Sequence, residues 1–335
     1  MNRFKVVLIA NDDSHPLPDW VTQRLCQEGI EFVHHECFTR NDLDKCAGDA
    51  DVIWLMSSRR GLVVEENMDI FQRAGVVIKC GSGTDNIEHD ACTKRGIIVA
   101  HTPEDPTEPT SDHTIAMLFA AVRQVARQDR LVRRGVWDQA AALPLGKFTG
   151  GQLGLIGMGR IGKTILRKLA GFGMTVRVHD PYQDAAAIEA AGAQKADLEE
   201  LLRKSQFVLV SCPLTPQTRG RIGERELRLM RPDAVLVNCA RGGIVDEEAL
   251  LQALQEGRIK AAALDVLEGH PRPGEGLLAC ENVVFTPHLG GSTADPADVF
   301  RTPLEVIVGI SKKRLPPWIA NKGVVPKWEM VGTGG

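Results

Sequence analysis

Short apolar runs alternate with amphipathic stretches along the whole chain, the pattern of a parallel sheet whose strands are joined by crossover helices. In the first hundred residues these runs predict strands at Lys5–Ile9, Asp51–Met56, Val76–Cys80 and Ile97–Ala100. Helical spacing falls between them, for example over Glu65–Ala74 and Glu88–Arg95. A proline-rich break from Pro103 to Pro109 precedes a helical pattern from about Ser111 to Arg134, too long for a crossover. It predicts a connecting helix between two lobes. A second series of strands is predicted at Gln152–Ile156, Met174–His179, Phe207–Ser211, Ala234–Asn238, Ala261–Leu264 and Val283–Thr286. Six strands with helices between them fit a complete doubly wound nucleotide-binding sheet. The tail opens with a helical pattern at Ala297–Ser311 and is too short for a domain, so it is expected to return to the first lobe. The expectation is α/β throughout: a Rossmann-type lobe, residues 109–294, inserted into a split lobe of residues 1–108 and 295–335.

Composition narrows the function classes. Glycine supplies 33 of 335 residues, above the typical share of about 7%, and calls for tight turns or close backbone approaches. Aromatic residues are only 5% and the net charge is −3, which leaves few stacking platforms and little positive charge for nucleic acid. The longest apolar run, Ile115–Val122, is eight residues, far below the roughly 18 of a membrane span. Val6–Ala10 is followed at once by Asn11-Asp12-Asp13, so no signal-peptide core is expected. Eight cysteines without a C-x-x-C pair give neither a zinc site nor a disulfide framework from their spacing. A reducing, cytoplasmic location is the expectation, with no metal, membrane or nucleic-acid partner.

The most informative motif is Gly157-Met158-Gly159-Arg160-Ile161-Gly162, which matches G-x-G-x-x-G. It follows an apolar strand and opens a helical pattern at Arg160–Gly171, and a second strand ends in Asp180, 18 residues after Gly162. The first glycine serves the turn, the second admits a pyrophosphate and the third lets helix meet strand. Backbone N–H groups and the helix dipole supply the anion site. Asp180 can accept from ribose hydroxyls and repel a 2′-phosphate. No basic residue directly follows it (Pro181, Tyr182, Gln183), which favours NAD over NADP.

Three more candidates sit where open α/β sheets bind ligands, at carboxyl ends of predicted strands. Arg241 lies just past Ala234–Asn238, Asp265 ends the strand beginning at Ala261, and His288 follows Val283–Thr286. An arginine can clamp a carboxylate and polarise the adjacent carbonyl, and a histidine can deliver a proton, which suits carbonyl reduction beside a nicotinamide. Taken singly, Arg241 also reads as a surface arginine and His288 as a capping or core histidine. In the first lobe, the small residues of Cys80-Gly81-Ser82-Gly83 follow a strand and fit either a backbone nest for a carboxylate or a plain turn. Ser57-Ser58-Arg59-Arg60 fits either a second anion site or a solvated loop. Asp246-Glu247-Glu248 reads as a helix start.

With these residues in hand, the chain resembles the D-isomer-specific 2-hydroxyacid dehydrogenases, nearest the short phosphoglycerate dehydrogenase branch without a C-terminal regulatory domain. The resemblance runs from about Val52 onward. It rests on Gly81-Ser-Gly-Thr-Asp-Asn-Ile87, Gly154-Leu-Ile-Gly-Met-Gly-Arg-Ile-Gly162, Pro213-Leu-Thr-Pro216, Asn238-Cys-Ala-Arg-Gly-Gly-Ile-Val-Asp246 and Thr286-Pro-His-Leu-Gly-Gly291. It implies a flavodoxin-like split substrate domain, a central NAD domain with the active site between them, and a homodimer built through the NAD domain. It implies that Arg241 binds substrate and that His288 is the acid/base. Cofactor contacts carry over to Ser82, Arg160, Ile161, Asp180, Cys212, Cys239, Ala240, Arg241, Asp265, His288 and Gly291, and the substrate is a small anionic 2-hydroxy or 2-keto acid. One departure bears on chemistry: the glutamate that the family places just before a proline, paired with the catalytic histidine, is His270 here. A neutral His270 can orient His288 but cannot supply the glutamate's charge, and a protonated one depresses the pKa of His288. A lower pH optimum for keto-acid reduction follows. Asp112 is a milder departure, where the family has glutamate at the start of the connecting helix. Because of His270, two alternatives to a 2-hydroxyacid dehydrogenase stand beside it: an NAD(H)-sensing binding protein with little turnover, and a formate- or phosphite-type dehydrogenase.

Overall fold

The structure, a computed structural model, describes residues 3–10, 16–56, 60–140, 143–268 and 273–332. The chain divides into two compact units, Met1–Pro106 with Thr293–Gly335, and Thr107–Ser292.

The first unit begins with β1 (Lys5–Ala10), α1 (Asp19–Gln27), β2 (Glu31–Glu36), α2 (Arg40–Cys46), β3 (Val52–Leu55), β4 (Val76–Lys79), α3 (His89–Lys94) and β5 (Ile98–His101). The strands form one parallel sheet in the order β2-β1-β3-β4-β5. Strands β3 (VIWL) and β4 (VVIK) are buried along their whole length, so both faces must be covered and the sequence reads as an unbroken apolar run. Strand β2 (EFVHHE) is half-exposed at the sheet edge and carries polar residues on both faces. That is why no apolar run announced it.

The second unit holds α4 (Thr107–Val122), α5 (Val125–Arg133), β6 (Gln152–Ile156), α6 (Arg160–Leu169), β7 (Thr175–His179), α7 (Ala185–Ala190), β8 (Gln194–Lys195), α8 (Leu198–Lys204), β9 (Phe207–Val210), α9 (Glu224–Leu229), β10 (Val235–Asn238), α10 (Glu247–Gln255), β11 (Ala261–Leu264), α11 (Glu275–Ala279) and β12 (Val283–Phe285). Its seven parallel strands run β12-β11-β10-β9-β6-β7-β8. The order reverses between β6 and β9, and the crevice beyond the carboxyl ends at such a switch point is where doubly wound sheets bind nucleotides. Both units are therefore α/β with doubly wound parallel sheets, as the hydrophobic pattern predicts.

The returning segment supplies α12 (Arg301–Ser311) to the first unit, burying Phe300, Leu304, Ile307 and Val308 in one cluster with Trp54 and Ile78 of β3 and β4. Asn321 then seals the β5 edge: it accepts from the Val99 N–H at 2.8 Å and donates to the Ile97 carbonyl at 2.9 Å.

Two sequence expectations fail locally. Glu65–Ala74 is not a helix but a 3₁₀ turn at Glu65–Asn67 followed by turns. Here Asn67 donates its side-chain amide to the carbonyls of Gly61 and Leu62, both at 3.0 Å, so local polar bonds compete with helix. The long helix expected from Ser111 is two helices, broken at Gln124, whose φ of 54° is left-handed. Among the described residues no helix is long and apolar enough to cross a membrane.

Candidate active site

The glycine loop between β6 and α6 is shaped by close contacts. Gly157 has φ of 92°, and a Cβ there would lie 2.8 Å from the Cys212 N and the Ser211 O. A Cβ on Gly162 would lie 2.6 Å from the Gly157 O. Both positions exclude any side chain, the first through its backbone conformation and the second through the closeness of helix to loop. A Cβ on Gly159 would meet nothing within 4 Å, so the space beside it is open. Gly159 caps α6 without a side-chain hydrogen bond, leaving the first N–H groups of a ten-residue helix available to an anion. Arg160 is exposed and Ile161 half-buried.

Asp180, just past β7, is buried, and its carboxylate is pinned to this loop. One oxygen accepts from the Met158 N–H at 2.8 Å and the other from the Tyr182 N–H at 2.8 Å. Each oxygen retains a further lone pair.

Arg241, Asp265 and His288 follow β10, β11 and β12, three neighbouring strands, which lie about 4.8 Å apart in a sheet. The Arg241 loop is stapled by buried Asn238, which accepts from the Ala240 N–H at 3.1 Å and donates to the Arg241 carbonyl at 2.8 Å. Arg241 is half-buried and donates through Nη1 to the Ala240 carbonyl at 2.8 Å.

Asp265 is 1% exposed and organises the turn that carries His288. Its Oδ1 accepts from the Thr286 hydroxyl at 2.6 Å and the Leu289 N–H at 2.8 Å, and its Oδ2 accepts from the Gly290 N–H at 2.9 Å. The His113 Nε2, from α4, lies 3.2 Å from Oδ1 and 2.9 Å from the Thr286 hydroxyl. Burial opposes ionisation of this carboxyl. The bonds from His113, Thr286 and the two amides outweigh it and hold the pKa at about 2. His288 donates its N–H to the Asp265 carbonyl at 2.9 Å and has φ of 58°, an uncommon conformation for a residue other than glycine. It is exposed, as is Gly291.

Two cysteines border these loops. Burial pushes the Cys212 thiol up to about 11 and the Cys239 thiol up to about 12, the latter with help from the Asp265 charge. Both stay protonated at neutral pH, so neither is a nucleophile.

In the first unit, the residues after β4 are partly committed within the unit. The Gly81 N–H donates to the Thr102 hydroxyl at 2.9 Å, and the Ser82 carbonyl lies 3.0 Å from His101 Nδ1. The Cys80 sulfur is buried and accepts from the Trp54 indole at 3.0 Å, so any role in anion binding falls to its backbone. Gly83 is half-buried. Arg60 is exposed, 3.3 Å from Asp85.

Arg59 and His270 lie outside the described residues. Glu268, two residues before His270, pairs with Arg219, and its N–H donates to Glu247, so its carboxylate is engaged elsewhere. Asp112 pairs on the surface with Lys168 at 2.7 Å. The residue that sequence reasoning missed is its neighbour His113. Set among the polar residues that open α4, it carries no local signal that could have singled it out.

These features agree with the comparisons to known proteins. Residues 115–290 match the family described as D-isomer specific 2-hydroxyacid dehydrogenase, NAD binding domain. A D-3-phosphoglycerate dehydrogenase of Methanocaldococcus jannaschii is 37% identical over 77% of this chain, and the match spans 49% of that enzyme. The chain thus spans about half the length of that relative. A glyoxylate reductase of Pyrococcus furiosus is 34% identical over 91% of this chain and 96% of its own length. Among solved structures, an NADPH-dependent glyoxylate/hydroxypyruvate reductase from Sinorhizobium meliloti, in complex with NADP and malonate, superposes with a TM-score of 0.84 at 26% identity, covering 99% of this chain and 100% of that one. The chain belongs to the D-isomer-specific 2-hydroxyacid dehydrogenases, oxidoreductases that use a nicotinamide cofactor to interconvert 2-hydroxy acids and 2-keto acids.

Proposed function

We propose that this enzyme reduces small 2-keto acids, glyoxylate among them, and that it uses NADH in preference to NADPH. The observation that carries the cofactor choice is Asp180. Two loop amides fix its carboxylate at the end of β7, where its spare lone pairs suit ribose hydroxyls and its charge repels a 2′-phosphate. Pro181, Tyr182 and Gln183 offer no compensating cation. The open space at Gly159 and the uncapped start of α6 fit a pyrophosphate. The cofactor, when bound, supplies the hydride.

The protein's own groups do the rest. The Arg241 guanidinium clamps the substrate carboxylate and polarises the neighbouring carbonyl. His288, protonated, gives its proton to the carbonyl oxygen as that oxygen becomes a hydroxyl, and takes it back in the oxidation direction. Asp265 positions this histidine through the turn at Thr286, Leu289 and Gly290. His270 stands where a glutamate would raise the proton affinity of His288. The first unit serves the substrate, through the backbone of Ser82 and Gly83 and the charges of Arg59 and Arg60; the second holds the cofactor, with Cys212, Cys239, Ala240 and Gly291 lining it. A homodimer is part of the reading: Val125, Val132, Val136, Leu143 and Trp137 are exposed apolar side chains of the second unit, Trp137 at 88%, a surface suited to a second copy. The eight free cysteines fit a reducing, cytoplasmic setting.

A panel of 2-keto acids with NADH and NADPH, followed by nicotinamide absorbance, tests the reading. Turnover of glyoxylate with NADH favoured is the expected result. Tight NADH binding without turnover of any acid, or a preference for NADPH, would overturn it.

A further inference from the structure

At the carboxyl end of the five-stranded sheet, β2 and α2 bring together three metal-ligating atoms, none of them on a residue assigned a role above. His35 lies on β2. Cys37 follows that strand, its N–H bonded to the Ala10 carbonyl at 3.1 Å. Cys46 is the last residue of α2, a helix anchored by reciprocal capping between Thr39 and Asp42. The Cys37 and Cys46 sulfurs are 3.7 Å apart, the His35 Nδ1 is 3.9 Å from the Cys37 sulfur, and all three atoms lie within 4.8 Å of one another. Both cysteines are buried and the histidine is half-buried.

These separations match one kind of occupant. Zinc binds thiolate at about 2.3 Å and imidazole at about 2.0–2.1 Å, so the edges of its tetrahedron are about 3.8 Å between sulfurs and about 3.5 Å between sulfur and nitrogen. The sulfur pair already spans such an edge; the imidazole, 3.9 Å from the Cys37 sulfur and within 4.8 Å of the Cys46 sulfur, has to close by about 1.3 Å at most. We propose that His35, Cys37 and Cys46 form a zinc site that ties the edge strand β2 to α2, with water in the fourth position.

The charges balance. One Zn²⁺ displaces the two thiol protons, which leave to solvent, and two thiolates with one dication make a neutral centre that buried cysteines can hold. No electron changes hands. The imidazole must bind through Nδ1, which lies 2.8 Å from the Glu36 carbonyl. Binding therefore requires the Nε2–H tautomer and gives up that one exposed hydrogen bond. A disulfide would use the two sulfurs alone and leave the imidazole idle; the third donor is what favours a metal. The pattern escaped the sequence because H-x-C followed nine residues later by a single C matches no common zinc spacing, and only the fold of α2 back onto β2 brings Cys46 to the other two.

The test is titration of the full-length, reduced, metal-free protein with Co²⁺ and then Zn²⁺ under anaerobic conditions. One equivalent of Co²⁺ should release the two thiol protons and give the visible bands and thiolate charge-transfer absorption of a tetrahedral sulfur-ligated ion, and Zn²⁺ should then displace it and bleach those bands with no further proton release. Cys37→Ser and Cys46→Ser should each weaken zinc by about a hundredfold or more, since even losing an outer-shell partner costs 10–100-fold. His35→Gln keeps both buried thiols and so guards against a variant that merely fails to fold; it should weaken zinc at least tenfold with an unchanged far-ultraviolet spectrum. Cys26→Ser, at an exposed cysteine, should change nothing. The proposal is overturned by octahedral or absent cobalt bands, or by uptake that survives all three ligand substitutions. It is equally overturned if the reduced protein ignores zinc and glutathione disulfide instead links Cys37 to Cys46.

Discussion

Replacing Asp265 by asparagine keeps the side chain's shape and removes its charge, which isolates what that charge does. The carboxyl lies at about 2 in the folded protein against an ordinary 3.8, a shift equivalent to about 2.4 kcal/mol favouring the ionised, folded form. In the variant, one oxygen becomes an amide that confronts a donor, either the Gly290 N–H or the Thr286 and Leu289 pair. A buried donor left unmet costs about 1–3 kcal/mol. The total is about 4 kcal/mol, and for a unit of this size each kcal/mol lowers the melting temperature by about 2–4 °C. Calorimetry at pH 7 should therefore show the transition of the Thr107–Ser292 unit falling by roughly 8–16 °C. The sign of the pH dependence provides a second check. A depressed carboxyl pKa contributes stability above its unfolded value near 4, and that contribution disappears as pH falls through about 2. The gap between wild type and Asp265→Asn should thus narrow between pH 4 and pH 2. Because the same turn sets the backbone of His288, kcat/KM should fall by about a hundredfold, the scale of an ångström-size misplacement. A melting temperature within 2 °C of wild type at pH 7, or a gap that widens in acid, would refute the reasoning.

Other substitutions separate the remaining roles. Asp180→Ser should raise the NADPH-to-NADH ratio of kcat/KM by about tenfold or more while also weakening NADH, because the Met158 N–H loses its acceptor; an unchanged ratio would remove Asp180 from the ribose site. His288→Asn keeps a residue that tolerates left-handed backbone, so it should leave the melting temperature unchanged while kcat drops by about 10²–10⁴. Arg241→Lys keeps the charge but loses the planar fork; a raised keto-acid KM and lowered kcat with an unchanged NADH Kd are expected from stopped-flow and steady-state measurements. His270→Glu should move the alkaline limb of the keto-acid reduction profile to higher pH, since a carboxylate favours protonated His288, and superimposable profiles would show that position 270 does not act on it.

What the chain discloses in sequence and what it withholds divide along range of interaction. Strands β3, β4, β9 and β10 are buried on both faces, so their apolar runs are sufficient to announce them. The polar edge strand β2 and the two-residue β8 are made strands only by a neighbour's hydrogen bonds. Likewise the glycine loop is legible because its glycines are spaced for one local turn. The contact of Asp180 with Met158 spans only 22 residues and fits the same motif. Asp265 is different. Its partners stand at a comparable 21 to 25 residues but belong to no recognisable local motif, and His113, which bonds that turn's Thr286, is 173 residues from it. Nothing in either segment points to the other before the sheet order β10-β11-β12 is set and α4 packs across it.

The backbone of His288 shows the consequence. Its φ of 58° is a conformation that glycine adopts without strain, and two glycines stand two and three residues later. A glycine at 288 would relax the turn, whose N–H to Asp265 carbonyl bond requires no side chain. The left-handed conformation costs an ordinary L-residue about 1–2 kcal/mol, and the Asp265 carboxylate, with about 2.4 kcal/mol bound up in its ionisation, is large enough to hold the turn against it. A strained backbone at the one histidine of this turn is what the proposed acid/base role would lead one to expect, since glycine would serve the backbone alone. The proposed role predicts that His288→Gly will bind NADH and keep the far-ultraviolet spectrum of the wild type yet reduce no keto acid, and an active variant would remove the imidazole from the chemistry.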